Sequence, residues 1–366
     1  MNISYYNYKR MHEFLREDIK KEFEIVLSLD GDPEIFYYMY KNEKKIGKAL
    51  GRGYFRGTSS GTAAMQFSLI ALGVGEGDEV ITTSSNIATM LSISNAGAKP
   101  VLVDIRQDTM LMDLDQIDSV ITKKTKAVIP VHLYGQMVDM DKISKIAKRH
   151  NLFAVEDAAH AHLARFRGKL PGRKSDCACY SLFLNKSLGG ISNGGMVVTK
   201  SRKMYKEIEK LRNNSSNSPL LLRSKRTPGY LDWMQIAFLL CKIKYIERWT
   251  NRRREIAKMY LDGLSGLPIT LPVEDKGAYH VYRDFAIRTG KRDKLKKYLS
   301  RNSVQTAIHY PEACHLSGIY SGLGYKKGDF PVAEESFSRV ISLPANPFVT
   351  DDEADYVIKM VKKFFG

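Results

Sequence analysis

Apolar and polar positions follow two different periods along this chain. Between about residues 58 and 200, short apolar runs recur: DEVITTS at 78–84, KPVLVDI at 99–105, KAVIPVHL at 126–133, NLFAVED at 151–157 and GMVVTK at 195–200. Each has strand length and β-branched content. Between them, GTAAMQFSLIALG and DMDKISKIAKRH space their apolar residues as helices do. This alternation predicts an α/β fold, a mostly parallel sheet with helices on both faces. Right-handed crossovers then bring functional residues to the carboxyl ends of the strands. The first fifty residues read as a helical arm. NNSSNSPLLLRSKRTPG, 213–229, reads as a loop, and the run from LDWMQIAFLL to AKMYLDGL after it as one long helix. YHVYRDFAIR, RDKLKKYLSR and TAIHYP then predict a small C-terminal α/β domain. The expected division is 1–245 for the arm and large domain and 246–366 for the small one, cut inside the long helix.

Composition narrows the class. The 366 residues are 43% apolar and 27% charged, ordinary for a water-soluble globular chain and enough for a core without disulfides. Cys177, Cys179, Cys241 and Cys314 have no metal-ligand spacing, so they read as buried thiols in a reducing compartment, and no metal is expected. No apolar run approaches eighteen residues, and MNISYYNYKRMHEF has no signal-like apolar stretch. The expectation is a cytoplasmic protein with no membrane partner. The net charge is +17, and 201–260 holds fifteen Lys and Arg against five Asp and Glu. That excess suits an anionic partner such as a phosphorylated small molecule, or else a solvated helical face. With no nucleic-acid-binding motif beside it, no nucleic-acid partner is expected.

Three segments carry candidate chemistry. Ser60-Gly61-Thr62 opens a helix pattern, where free backbone N–H groups and small residues can seat a phosphate, or where Ser60 is only an N-cap. In VEDAAHAH, Asp157 ends an apolar strand. Its carboxylate can cap a following helix or face a cationic ligand nitrogen, with His160 one turn on if the chain turns helical. Lys186 stands five residues after Ser181, between an apolar segment and a glycine-rich loop. On the surface it needs no explanation; buried, its amine is a nucleophile suited to carbonyl chemistry. Phosphate seat, carboxylate and lysine, in this order, are what pyridoxal 5′-phosphate (PLP) requires.

The chain resembles the DegT-type sugar aminotransferases, PLP enzymes of fold type I. The likeness lies in SGTAAM, LGVGEGDEVIT, NAGAKPVLVDI, TKAVIPVHLYGQMVDMDKI, NLFAVEDAAHAH, the NK before SLGG, YHVYRDFAI, TAIHYPEACHL and FPVAEESFSRVISLP. It implies a large domain with a mostly parallel seven-stranded sheet. It also implies Lys186 as the Schiff-base lysine and proton carrier, and Asp157 as partner of the pyridinium nitrogen. His160 would contact the ring 3-hydroxyl, and Gly61, Thr62 and Ser181 the phosphate. His309, Tyr310, Asn193 and Tyr134 would lie at the substrate. The implied reaction moves an amino group from an amino acid, L-glutamate by expectation, to a keto group of a nucleotide-diphosphate sugar. The product is an amino sugar for glycan or secondary-metabolite synthesis. A homodimer with shared active sites is implied as well.

Four positions depart from the family pattern. Asn86 replaces an aromatic that stacks on the cofactor ring. Asn193 replaces a glutamate in a glycine-flanked motif. Pro228 takes the place of an asparagine that reaches the partner's cofactor phosphate, a role open to the NNSSN stretch or to Arg223 or Arg226. Leu163 stands where glycine is usual. These departures keep two alternatives open, a PLP enzyme with another keto acceptor or outcome, and a non-catalytic paralogue acting as a partner subunit. Lys186 itself argues against the family's dehydratase branch, in which histidine replaces the lysine.

Overall fold

Strand β1 (Tyr54–Thr58) starts a seven-stranded sheet that continues with β2 (Glu79–Thr83), β3 (Lys99–Val103), β4 (Thr125–Val128) and β5 (Phe153–Asp157). A two-residue β6 (Arg165–Phe166) lies outside it, and β7 (Cys177–Ser181) and β8 (Gly195–Thr199) complete it. The order is β1-β8-β7-β5-β4-β2-β3. Neighbours from β3 to β7 run parallel, and β8 is antiparallel to both β7 and β1. This computed structural model describes residues 2–213 and 229–366. Most of the loop expected at 213–229 lies outside them, with Pro228, Arg223, Arg226 and all but the first asparagine of NNSSN.

The named apolar runs become β2, β3, β4, β5 and β8. Alternate side chains go to opposite faces. Val80 and Val155 join the core under α4 (Gly61–Ala71), while Ile81 and Ala154 face the core on the other side. Helices α1 (Tyr8–Phe14), α2 (Arg16–Leu27) and α3 (Asp32–Leu50) form the N-terminal segment. Farther on lie α5 (Ile87–Asn95), α6 (Ile117–Val120), α7 (Met140–His150), α8 (Arg202–Arg212) and α9 (Trp233–Ile243). Their starts follow capping rules: Ser60 accepts from the Ala63 N–H at 3.0 Å, and Asp139 from the Asp141 and Lys142 N–H groups at 2.9 and 3.0 Å.

The single long helix expected after the loop is two helices, α9 and α10 (Ile246–Gly263). At the break, Lys244 Nζ and Tyr245 Oη both bond the Asp18 carboxylate on α2, at 2.6 and 2.9 Å. Beyond α10, a two-residue β9 (Ala278–Tyr279) pairs with β6, and β10 (Phe285–Arg288) pairs with β11 (Val340–Leu343). With α11 (Arg292–Arg301) and α13 (Asp351–Phe365), α10, β10 and β11 build a separate core around Tyr260, Phe285, Leu299 and Val357, while α12 (Pro331–Arg339) joins the main core through Ala333 and Phe337. Ile3 belongs to that core and bridges to Val304. The N-terminal helices are therefore no free arm. The chain's first residues pack on its last hundred, and α2 and α3 lie on α9. All four cysteines are buried and unbridged. No helix among the described residues is long and apolar enough to cross a membrane.

Candidate active site

Strands β1, β2, β5 and β7 deliver their carboxyl ends to one edge of the sheet. The N–H groups of Gly61 and Thr62 open α4 there and have no intrahelical acceptor. Gly61 is packed so closely on β7 that a Cβ would stand 2.9 Å from the Ser181 Cβ. Any larger residue would push the helix start away from Ser181, so the glycine holds helix terminus and hydroxyl together.

Asp157 ends β5 and is 1% exposed. Its Oδ2 accepts from Thr89 Oγ1 at 2.6 Å and from Asn86 Nδ2 at 3.4 Å, and its Oδ1 from the Ala159 N–H at 3.0 Å. The chain after Asp157 forms turns, not the helix considered for it. The carboxylate therefore caps a tight turn and faces the sheet edge. Its neighbour Glu156 points to the opposite face. There it takes His132 Nε2 at 2.7 Å and the Gly172 N–H at 2.7 Å.

His160 reaches the site through that turn. The Tyr134 N–H donates to His160 Nδ1 at 3.3 Å, so the proton of the neutral ring sits on Nε2. Burial, reinforced by Lys186 and Arg283, holds the ring neutral, well below its ordinary pKa. Nε2 is buried with no partner among the described residues, a donor held ready for a ligand oxygen. Tyr134 Oη donates to the His309 carbonyl, so one tyrosine spans two candidate segments.

Lys186 lies in a turn after β7, its N–H bonded to the Phe183 carbonyl at 2.8 Å. Gln235 of α9 braces the loop beyond it. Gln235 Oε1 accepts from the Ile191 and Ser192 N–H groups at 2.7 and 2.9 Å. At Gly190 a Cβ would meet the Gln235 amide at 2.3 Å, which is why glycine follows the lysine. Burial first, and then the Arg283 guanidinium, lower the Lys186 pKa to about 7, against a smaller upward pull from Asp284 and Asp157.

Sequence reasoning missed Arg283, Asp284, Tyr5 and Thr89. Asp284, fully buried, accepts from Tyr5 Oη at 2.6 Å and from Arg283 Nη1. It lies 3.5 Å from His309 Nδ1 and 3.9 Å from His160 Nδ1. Arg283 also donates to the Asn185 carbonyl at 3.0 Å, next to Lys186. Of the expected residues, Asp157, His160, Tyr134, His309, Ser181, Gly61 and Lys186 fall in this region, and Asn86 bonds Asp157. Tyr310 follows His309, half-buried, and Thr62 is half-buried beside Gly61. Asn193 is exposed and makes no hydrogen bond among the described residues. Leu163 takes φ 65°, the left-handed region that favours glycine.

These groups fit PLP. A helix terminus and hydroxyl suit a phosphate, the Asp157 carboxylate a ring nitrogen, His160 Nε2–H a ring oxygen and a near-neutral lysine an aldehyde. The model of the DegT/DnrJ/EryC1/StrS aminotransferase family matches residues 32–362. A pleiotropic regulatory protein of Geobacillus stearothermophilus is 37% identical, covering 100% of this chain and 99% of its own. A dTDP-3-amino-3,4,6-trideoxy-alpha-D-glucose transaminase of Streptomyces venezuelae is 40% identical, covering 84% of this chain and 82% of its own. The crystal structure of DesV from S. venezuelae superposes with a TM-score of 0.92 at 36% identity, covering 99% of this chain and 98% of that one. Site chemistry, fold and sequence agree: the chain belongs to the DegT/DnrJ/EryC1/StrS aminotransferase family and is a PLP-dependent sugar aminotransferase.

Proposed function

We propose that this enzyme transfers an amino group from an amino acid, L-glutamate in the first instance, to a keto group of a nucleotide-diphosphate-linked deoxysugar. The observation that carries the reading is the convergence of Lys186, Asp157 and the unpartnered His160 Nε2 at one sheet edge, beside the α4 terminus. The S. venezuelae relative, named as a transaminase for a dTDP-linked amino sugar, supports the acceptor class. When bound, PLP supplies the aldehyde and the electron-withdrawing ring on which transamination depends.

The chain's own residues then divide the work. Lys186 presents a neutral amine and afterwards carries the proton at the amino carbon. Asp157, fixed by Thr89, Asn86 and the Ala159 N–H, holds positive charge on the ring nitrogen. His160 donates from Nε2 to the ring hydroxyl oxygen. Gly61, Thr62 and Ser181 bind the phosphate. Tyr134 orients His160 and the His309–Tyr310 segment, which takes the acceptor sugar together with Asn193.

A homodimer belongs to the proposal. Leu27 and Tyr37 are 76% and 68% exposed on α2 and α3, beside Ile25 and Phe36 at 41% each, an apolar face of the kind that subunits cover. The test is the absorbance of the purified protein with PLP, before and after L-glutamate. A cofactor band that glutamate bleaches, and that Lys186→Ala never forms, is the expected result. A band indifferent to every amino acid would sink the donor assignment, and a screen of keto sugars then tests the acceptor.

A further inference from the structure

A pocket opens behind Lys186, walled by Tyr5 and Tyr8 of the N-terminal segment, Trp249 of α10 and Asn346. Two more cations line it, Lys242 of α9 and Arg253 of α10. Both are buried, at 2% and 9% exposure. Neither has a carboxylate within ion-pair distance among the described residues. Lys242 Nζ donates to the Gly189 carbonyl at 2.6 Å. Arg253 Nη1 is buried with no hydrogen-bond partner among the described residues.

Such a pair costs stability, because two like charges leave water together. Among the described residues, other buried guanidinium groups have carboxylate partners. Arg212, equally buried, is paired with Glu43, and Arg56 with Glu43 and Glu209. In the same pocket Arg283 has Asp284. Lys242 and Arg253 have no such carboxylate partner among the described residues, and they share a pocket with the lysine that must meet an amino acid.

We propose that Arg253 and Lys242 form the seat for a carboxylate of the amino-acid donor. The inference rests on the aminotransferase reading for the identity of the ligand, but the anion site stands on the pocket itself. An incoming carboxylate supplies the countercharge the fold withholds, and Arg253 can grip it through two N–H groups. Burial, with the Arg253 charge beside it, lowers Lys242 to a pKa of about 7, and burial, with Arg283 beside it, lowers Arg253 to about 10; a bound carboxylate reverses part of both shifts. Tyr5, Tyr8 and Trp249 give the walls aromatic surface for an aliphatic donor chain.

Holoenzyme is melted with and without glutarate, a carboxylate that cannot react, and titrated with L-glutamate while the cofactor absorbance is followed. Glutarate should raise the melting temperature of the wild type. Arg253→Met should melt no lower than the wild type without ligand and lose the glutarate shift. It should also need about tenfold or more glutamate for half-conversion. Arg253→Lys should recover part of both effects, and Lys242→Met carries the same test if Arg253→Met does not fold. An unchanged glutarate shift and unchanged half-conversion in both methionine variants would overturn the proposal. So would protection by inorganic phosphate at lower concentration than glutarate, which would make the site a phosphate seat. Failure of the cofactor band in the wild type strikes the PLP reading instead, since glutarate protection needs no turnover.

Discussion

Lys186 passes from ammonium to free amine near pH 7, where an unburied lysine would remain charged. Only the free amine attacks an aldehyde. Capture of PLP by the cofactor-free protein should therefore accelerate about tenfold per pH unit below 7 and level off above it. Stopped-flow absorbance across pH 5 to 9 reads this directly. Arg283 is the largest charged group pushing that pKa down, while Asp284 pulls it up. Arg283→Met removes the first and frees the second, so the profile should move to higher pH. An unshifted profile would show that burial alone sets the value. Asp157→Asn keeps the shape of the side chain and loses its charge, and it should slow the donor half-reaction by about a hundredfold or more while the cofactor still binds. Asp157 and Lys186 were legible in the sequence because each borders an apolar strand run. Arg283 and Asp284 were not, because an adjacent Arg-Asp pair reads as solvated surface. Only the fold brings Tyr5 across 279 residues to bury it.

Helix ends carry much of the positioning around the site, and they explain what the sequence pattern concealed. Asn86 is no gap where an aromatic is missing. Its Oδ1 caps α5 at the Ala88 N–H, 3.0 Å away, while its Nδ2 reaches Asp157. Asn86→Ala should cost about 1 kcal/mol in urea unfolding. Asp104, just past β3, does for α12 what no local residue does. Its two carboxylate oxygens accept from the Val332 and Ala333 N–H groups, both at 2.9 Å, across 228 and 229 residues. Asp104→Ala strands buried donors and should cost about 1–3 kcal/mol. Asp104→Asn keeps one acceptor oxygen and should cost less. A urea midpoint equal for the two variants would show that the helix end does not depend on this acceptor. Strand β1 escaped notice because YFRGT mixes charge and glycine, and β7 because CACYS has one large apolar side chain, Tyr180, among small residues. Strand β1, at the sheet edge, is buried by β8 and by helices α3, α4 and α8, and β7 lies between β5 and β8, a tertiary fact with no local period. The break at Lys244–Tyr245 was hidden for the same reason, since the Asp18 carboxylate that bonds both side chains there comes from α2.

At the scale of the molecule, the separate core around Tyr260 and Phe285 supports a domain boundary near residue 245, and we propose it there with the first residues assigned to the C-terminal part. Ile3 is fully buried in that core, and Tyr5 roofs the pocket behind Lys186. The N-terminal segment thus ties the two parts together and leaves the apolar faces of α2 and α3 turned outward. Covering Leu27, Phe36 and Tyr37 removes apolar surface from water at about 25 cal/mol per Å², so a second copy of this chain should bury them. Light scattering should then give twice the 41.5 kDa chain mass. Leu27→Glu with Tyr37→Glu places two carboxylates in the interface, where desolvation opposes association, and should return the mass toward 41.5 kDa. If the sites are shared, that variant should also lose transaminase activity while keeping its circular dichroism. A dimer that survives both glutamates would assign the interface to another face. A monomer with full activity would mean that each chain completes its own site.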